Sequence, residues 1–377
     1  MTERLAALLH AEADLLEVPP PATAAILGSG RRQVRRRRWV RAGVSGGVVV
    51  ALAAGAFAAV DLRAHDRASD LAPASAAQLE GWAVASGSTV LLGNGRTVEV
   101  SGSVKSVYYT SAGVLVRSGK SSSTDAPDST YALVDDAGDV TDFSLELGDR
   151  VPGTDPGEPY LAYADATDSP DVWNIVLRDV RTGEVARTIP VSGAFTWGGW
   201  VAPPVALSGS HVYVGMDDAT LDVDLATGTV TESGTLPAST MPSVTAGREV
   251  VEERRQSGSR VIDVATGEVL LRVADPDRFL TLAPDGRHAV AVGWRTCTED
   301  GECRFDEPVA QVYDLASGTS RDLDVSDSSY GWTPAGLLLR VDGDSVDVCD
   351  PGSDECFSTP VEVDGRDLRL GGNSYEA

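Results

Sequence analysis

Lysine is almost missing from this chain: two in 377 residues, Lys105 and Lys120, among 31 basic side chains. The imbalance points to a GC-rich genome rather than to a mechanism. Histidine is nearly as scarce, at His10, His65, His211 and His288. None sits in a nucleophile motif, and beyond residue 80 there is no G-x-S-x-G elbow. Cysteine is absent before residue 297, and the four that follow form no C-x-x-C, which excludes the common zinc arrangements. No EF-hand spacing occurs either. Beyond about residue 80 no helical periodicity persists, so a hydrolase built on an added α/β domain has no room. No cofactor is expected.

Only one long apolar run exists, Ala42–Val60, nineteen residues without a charge. At ~1.5 Å rise per residue it nearly matches a ~30 Å hydrocarbon core. Seven arginines lie between Arg31 and Arg41. One-sided arginines place residues 1–41 in the cytoplasm and the C-terminal bulk outside, a single-pass type II cell-membrane protein. Two other readings stay open: a long signal peptide with small residues at Ala56–Ala58 as its cleavage site, and a buried core helix. Residues 2–18 read as an amphipathic helix capped by Thr2 and stopped at Pro19–Pro21, with Leu5, Leu8, Leu9, Leu15 and Leu16 on one side. These leucines are the candidate docking face for a cytoplasmic regulator; a tail that folds only weakly is the alternative. The expected organisation is a cytoplasmic helix and Arg-rich segment over 1–41, a transmembrane helix over 42–60, a linker over 61–79, and an extracytoplasmic domain over 80–377.

Net charge is −25, unevenly spread. Residues 1–60 hold eight Arg against four Asp/Glu, +4, which leaves −29 for the rest. A body that acidic repels nucleic acid, so no nucleic-acid partner is expected. With 52 carboxylates in the body, no particular pair marks a glycosidase-type site. A carboxylate-dependent hydrolase therefore remains only a second alternative. The cysteines favour two local disulfides, Cys297 with Cys303 and Cys349 with Cys356, each closing a loop of turn-forming residues. Disulfides require an oxidising compartment, which agrees independently with an outside C-terminal domain.

From about Gly81 onward, short runs of Val, Leu, Tyr and Thr alternate with Gly, Asp, Ser and Pro, an all-β texture. One hairpin recurs: VLRDVRTGEVARTIPV (176–191), LDVDLATGTVTES (221–233), RVIDVATGEVLLRV (260–273) and QVYDLASGTSRDLDV (311–325). Weaker copies are YALVDDAGDVTDFSL (131–145), TVLLGNGRTVEV (89–100) and SVDVCDPGSDECFS (345–358). The turn glycines are Gly95, Gly138, Gly183, Gly228, Gly267, Gly318 and Gly352. Asp bonds its own backbone, Thr or Ser supports it, and Gly supplies the positive φ before the chain returns. Asp179, Asp224, Asp263 and Asp314 are accordingly turn formers. A second hairpin precedes several of these, as in FLTLAPDGRHAVAVG (279–293), YGWTPAGLLLRVDG (330–343), VYYTSAGVLVRSG (107–119) and PVALSGSHVYVG (204–215). Two hairpins per ~43 residues make a four-stranded propeller blade.

These units resemble bacterial WD-repeat-like and PQQ- or YVTN-type β-propellers, with APDG (Ala283–Gly286) in the inner turn and D-x-A-T/S-G in the outer one. The resemblance covers roughly residues 81–370 and lies at fold level, because the Gly-His and Trp-Asp dipeptides of the strict WD repeat are missing. It implies an all-β propeller of seven blades, with six or eight as alternatives. VDGRDLRLGG (363–372) is placed to close the ring by joining the first blade. It also implies protein or ligand binding, in which radial blades present a rigid rim of variable loops. Trp173, Trp197 and Trp200 are the candidate rim aromatics, and EPYLAYADATDSPDVWN (158–174) reads as a long rim insert. The short leucine-bearing helix, arginine cluster and single span resemble membrane-anchored anti-sigma factors. The zinc-binding His-x3-Cys-x2-Cys helix of many such proteins is absent. The expected partners are the membrane, an extracytoplasmic protein or envelope ligand, and a cytoplasmic regulator.

Overall fold

The computed structural model describes residues 81–372 apart from 124–127, 144, 146, 149, 197–199, 239–240, 254–257, 276–277, 294–295, 298–302, 305–308, 324–329, 343–344, 354 and 362–367. All of them fall in the second of the two units into which the chain divides, Ala64–Ala377. The expected cytoplasmic helix with Leu5, Leu8, Leu9, Leu15 and Leu16, the apolar span and the linker lie outside the described residues. Among the described residues no helix is long and apolar enough to cross a membrane.

Every described element is a strand, and the strands form seven blades. Blade 1 holds β1 (Ala83–Ser86), β2 (Thr89–Leu92) and β3 (Thr97–Glu99). Blade 2 holds β4 (Ser103–Thr110), β5 (Gly113–Gly119), β6 (Ser129–Val134) and β7 (Val140–Phe143). Blade 3 runs from a short β8 (Gly153–Thr154) through β9 (Tyr160–Ala166) and β10 (Val172–Asp179) to β11 (Val185–Ser192). Blade 4 comprises β12 (Val205–Ser208), β13 (His211–Gly215), β14 (Thr220–Asp224) and β15 (Val230–Glu232). Blade 5 has β16 (Arg248–Glu252), β17 (Ser259–Asp263) and β18 (Val269–Val273). Blade 6 has β19 (Arg278–Leu282), β20 (His288–Gly293), β23 (Val309–Asp314) and β24 (Ser320–Leu323), with the two-stranded β21 (Thr296–Cys297) and β22 (Cys303–Arg304) inserted between its second and third strands. Blade 7 is β25 (Tyr330–Trp332), β26 (Leu338–Asp342), β27 (Ser345–Cys349) and β28 (Cys356–Pro360).

The last strand, β29 (Leu368–Leu370), pairs antiparallel with β1 and becomes the innermost strand of blade 1. One C-terminal and three N-terminal strands therefore share a blade, and the ring is closed by backbone hydrogen bonds. Closure shows equally in the core, which divides into seven clusters, one at each junction between neighbouring blades. An open row of seven would have six. The junction of blades 7 and 1 brings Leu339, Val346 and Val348 against Trp82, Val84 and Leu370.

Alternation explains why the inner strands read as unbroken apolar runs. In β20, Ala289 and Ala291 pack toward blade 5 while Val290 and Val292 pack toward blade 7. Successive side chains point to opposite faces, and both faces are buried.

The outer turns follow local chemistry. In blade 4 the N–H groups of Ala226 and Thr227 donate to Asp224 Oδ1 at 2.8 and 2.9 Å, and Gly228 turns at φ +77°. Those two donors, Thr227 first, hold the Asp224 carboxyl below the usual carboxylate range. Asp263 and Asp314 accept in the same way from Thr266, and from Ala316 and Ser317. Asp179 accepts from the Arg181 N–H. The expected turn glycines take positive φ with one correction, Gly352. It is not among the positive-φ glycines; the CDPGSDEC turn closes instead through the Ser353 N–H to the Asp350 carbonyl, and the Asp350 carboxylate accepts from the Gly352 N–H.

Blade 5 departs from the repeat. Its innermost position is held by the stretch before β16, which makes a single bridge, Thr245↔Arg248, across a tight turn with φ +47° at Ala246 and +73° at Gly247. Pro242, which has no N–H to donate, precedes that bridge. Here the Glu249 carboxyl group replaces the missing ladder, accepting the Ser243 N–H at 3.0 Å and the Ser243 hydroxyl at 3.2 Å.

Candidate functional site

Each inner strand starts on the face that carries the connections between blades and the loops between second and third strands; this is the upper face. An open cleft of about 830 Å³ lies there over blade 2. It is lined by Ser101 and Gly102 before β4, Gly119 and Lys120 after β5, Asp128–Thr130 entering β6, and Gly148 and Arg150 before β8.

A register shift between Val104 and Ser106 leaves Lys105 as the extra residue of β4, opposite no partner on β5. Such bulges re-aim a side chain. Lys105 is 1 % exposed and runs beneath the cleft, its Nζ donating to Asp128 Oδ1 at 3.4 Å and to Ser129 Oγ at 3.3 Å. Arg117, 3 % exposed on β5, donates from Nε to the same Ser129 Oγ at 2.9 Å. A Cβ on Gly119 would lie 2.2 Å from the Asp128 carbonyl oxygen and 2.6 Å from Lys105 Cε, so only glycine leaves a path for the lysine. The Lys120 N–H, the largest influence, and the Lys105 ammonium together hold the Asp128 carboxyl below the usual range against the opposing effect of burial. Arg369 on β29 clasps the arrangement, donating to the carbonyls of Lys105 and Ser122 at 2.9 and 3.0 Å.

The cleft continues toward blade 3. Arg150 Nη2 donates to Asp165 Oδ1 at 2.6 Å on the side of β9 that faces blade 2, whereas Trp173 on β10 packs at the junction of blades 3 and 4. Trp173 is half-buried, donates from Nε1 to the Gly193 carbonyl at 3.2 Å and meets Phe195 edge-on. Trp200 is also half-buried. Trp197 and Trp294 lie outside the described residues. Trp82 and Trp332 are 1 % and 0 % exposed and fill junctions between blades. The stretch 158–174 is corrected: it is no long insert but β9 and β10 joined by a short turn at 167–171. Sequence reasoning missed the cleft. Its only visible signal was that both lysines of the chain fall fifteen residues apart in one blade.

Cys349 and Cys356 are directly opposed on β27 and β28 and form a disulfide. Cys297 and Cys303 are backbone partners in the β21–β22 register. His211 and His288 begin second strands, at the lower face. His211 Nδ1 lies 2.7 Å from Asp222 Oδ1, and His288 Nε2 lies 3.9 Å from Asp314 Oδ2. Among the described residues no hydroxyl or thiol is hydrogen-bonded to either ring. No group of three or more His, Cys, Asp or Glu is placed to hold a metal among them.

The class defined by this geometry is a closed seven-blade β-propeller. No protein-family model matches the sequence, and no curated protein does. Among solved structures it is similar to apo AztD from Citrobacter koseri (12 % identity, TM-score 0.44, 77 % of this chain and 98 % of that one). It is similar too to a 6-phosphogluconolactonase described as putative from Bacteroides uniformis (12 %, 0.42, 78 % and 98 %). A third is TolB from Acinetobacter baumannii (12 %, 0.37, 77 % and 65 %). At these scores the likenesses carry no argument about function.

Proposed function

We propose that the chain is a membrane-anchored, extracytoplasmic recognition propeller that binds a protein or envelope ligand on its upper face without catalysis. The observation that carries this reading is the upper-face cleft over blade 2, walled by loops and floored by two buried cations. Rigid blades hold such loops in place while leaving their sequences free to specialise. The uncharged run Ala42–Val60, its arginine flank and the Cys349–Cys356 disulfide support an outside location for the propeller.

The test is a crosslinked pull-down from intact membranes with the full-length chain and with a version lacking residues 1–30. Envelope proteins recovered with both support recognition by the propeller alone. A cytoplasmic protein recovered only with the full-length form transfers the function to signalling through Leu5, Leu8, Leu9, Leu15 and Leu16. Substrate turnover by the purified chain, abolished by one carboxylate substitution, would replace both readings with the hydrolase.

A further inference from the structure

The Ser129 hydroxyl sits in an unusual position. It is 5 % exposed, lines the cleft, and accepts from two cationic donors, Lys105 Nζ at 3.3 Å and Arg117 Nε at 2.9 Å. A serine oxygen has two acceptor lone pairs and one proton to give. With both lone pairs engaged by cations, its O–H is polarised, and no acceptor takes that proton among the described residues. Two further lining residues, Lys120 and Arg150, carry unspent donors. The Lys120 ammonium makes no ion pair among the described residues, and Arg150 Nε is buried without a hydrogen-bond partner. Three unspent donors among the residues that line one cleft, in a body of net charge −29, are the reverse of what solubility alone would place there.

We infer that the cleft binds an oxyanion, the carboxylate or phosphate group of a larger ligand, through the Lys120 ammonium, the Ser129 hydroxyl and the Arg150 guanidinium. Lys105 and Arg117 are already engaged and act from beneath. They polarise Ser129 and keep the floor positive, while Asp128 is occupied by Lys105 and by the Lys120 N–H. Charge-assisted hydrogen bonds in a part-buried site are the stronger kind, and hydroxyl, ammonium and guanidinium together match an oxyanion's several acceptors. The volume exceeds what a lone ion fills, so the anion is one group of a larger molecule. This inference deepens the recognition reading and rests on it.

The experiment is calorimetric titration of the full-length chain in neutral detergent with inorganic phosphate and, separately, with citrate. Saturable one-site binding of phosphate alone assigns a phosphate group; binding of citrate alone assigns carboxylate; binding of both supports the shared chemistry. Lys120→Gln and Arg150→Gln should each weaken binding roughly tenfold or more, and Lys120→Arg should retain it. Lys120 is exposed, so its variants keep the test valid even where a buried change such as Lys105→Met prevents folding. No saturable binding of either probe, or binding indifferent to both glutamine variants, overturns the inference. The pull-down separates the two claims. Envelope proteins captured without oxyanion binding remove this site and leave the recognition reading; oxyanion binding without captured protein leaves the site and removes a protein partner.

Discussion

Glu249 should make the propeller lose stability as pH rises through neutrality. It is 5 % exposed on β16, on the side that faces blade 4, where Tyr213, Val251 and Ile262 pack. Its hydrogen bonds come from neutral Ser243, and the charges felt by the adjoining Tyr213 are acidic, from Asp222, Glu249 itself and Asp263. Burial therefore dominates and pushes the carboxyl from 4.5 up to about 8, with the Ser243 donors acting weakly the other way. Between those two values the unfolded chain has released the proton and the folded chain retains it. Stability is then lost at ~1.4 kcal/mol per pH unit as pH rises, and the loss is complete above the folded value. At neutral pH the accumulated loss is on the order of 3 kcal/mol. Glu249→Gln, neutral at every pH and able to accept the Ser243 N–H, should recover most of it, less about 1 kcal/mol for altered hydrogen bonding. Urea unfolding of both chains across the range from mildly acid to mildly alkaline is the assay. The variant minus wild-type difference isolates this group, because carboxylates held low, such as Asp128 and Asp224, lose their contribution only in acid. Parallel pH curves for the two chains would refute the reasoning.

Three other outcomes follow from the fold. Truncation before Leu368 removes β29, leaves β1 with an unpaired edge and opens the junction of blades 7 and 1, so far-UV circular dichroism should show loss of cooperative unfolding; an unchanged melt would mean the ring does not depend on this strand. Peptide mapping without reductant should recover Cys349 linked to Cys356 and Cys297 linked to Cys303, and Cys349→Ser should cost about 2 kcal/mol in denaturant titration. Cross-linking of Cys297 to Cys349 would contradict the local pairing. Gly119→Ala should cost roughly 2 kcal/mol and abolish phosphate or citrate binding, because the added carbon meets the Asp128 carbonyl and the Lys105 stem; a variant with wild-type stability would show that Lys105 does not take this path.

The sequence by itself determined the blades. Asp224, Thr227 and Gly228 make their turn from hydrogen bonds and dihedrals spanning a few residues, so the motif is visible wherever it recurs. Short apolar runs between those turns mark the strands for the same local reason. Failures were local too: Gly352 was misjudged because a serine and an aspartate close that turn instead, and 158–174 because its strands lack the D-x-A-T-G signal at their junction. Tertiary structure alone decided the rest. Arg369 clasps the Lys105 carbonyl across 264 residues, Ser129 meets two cations from different strands, and Glu249 is buried by the side of a neighbouring blade. Those relations depend on which blades become neighbours when the ring closes, and burial, charge and unspent hydrogen bonds are properties of neighbours in space. Turn and strand preferences act over a few residues and carry no information about them.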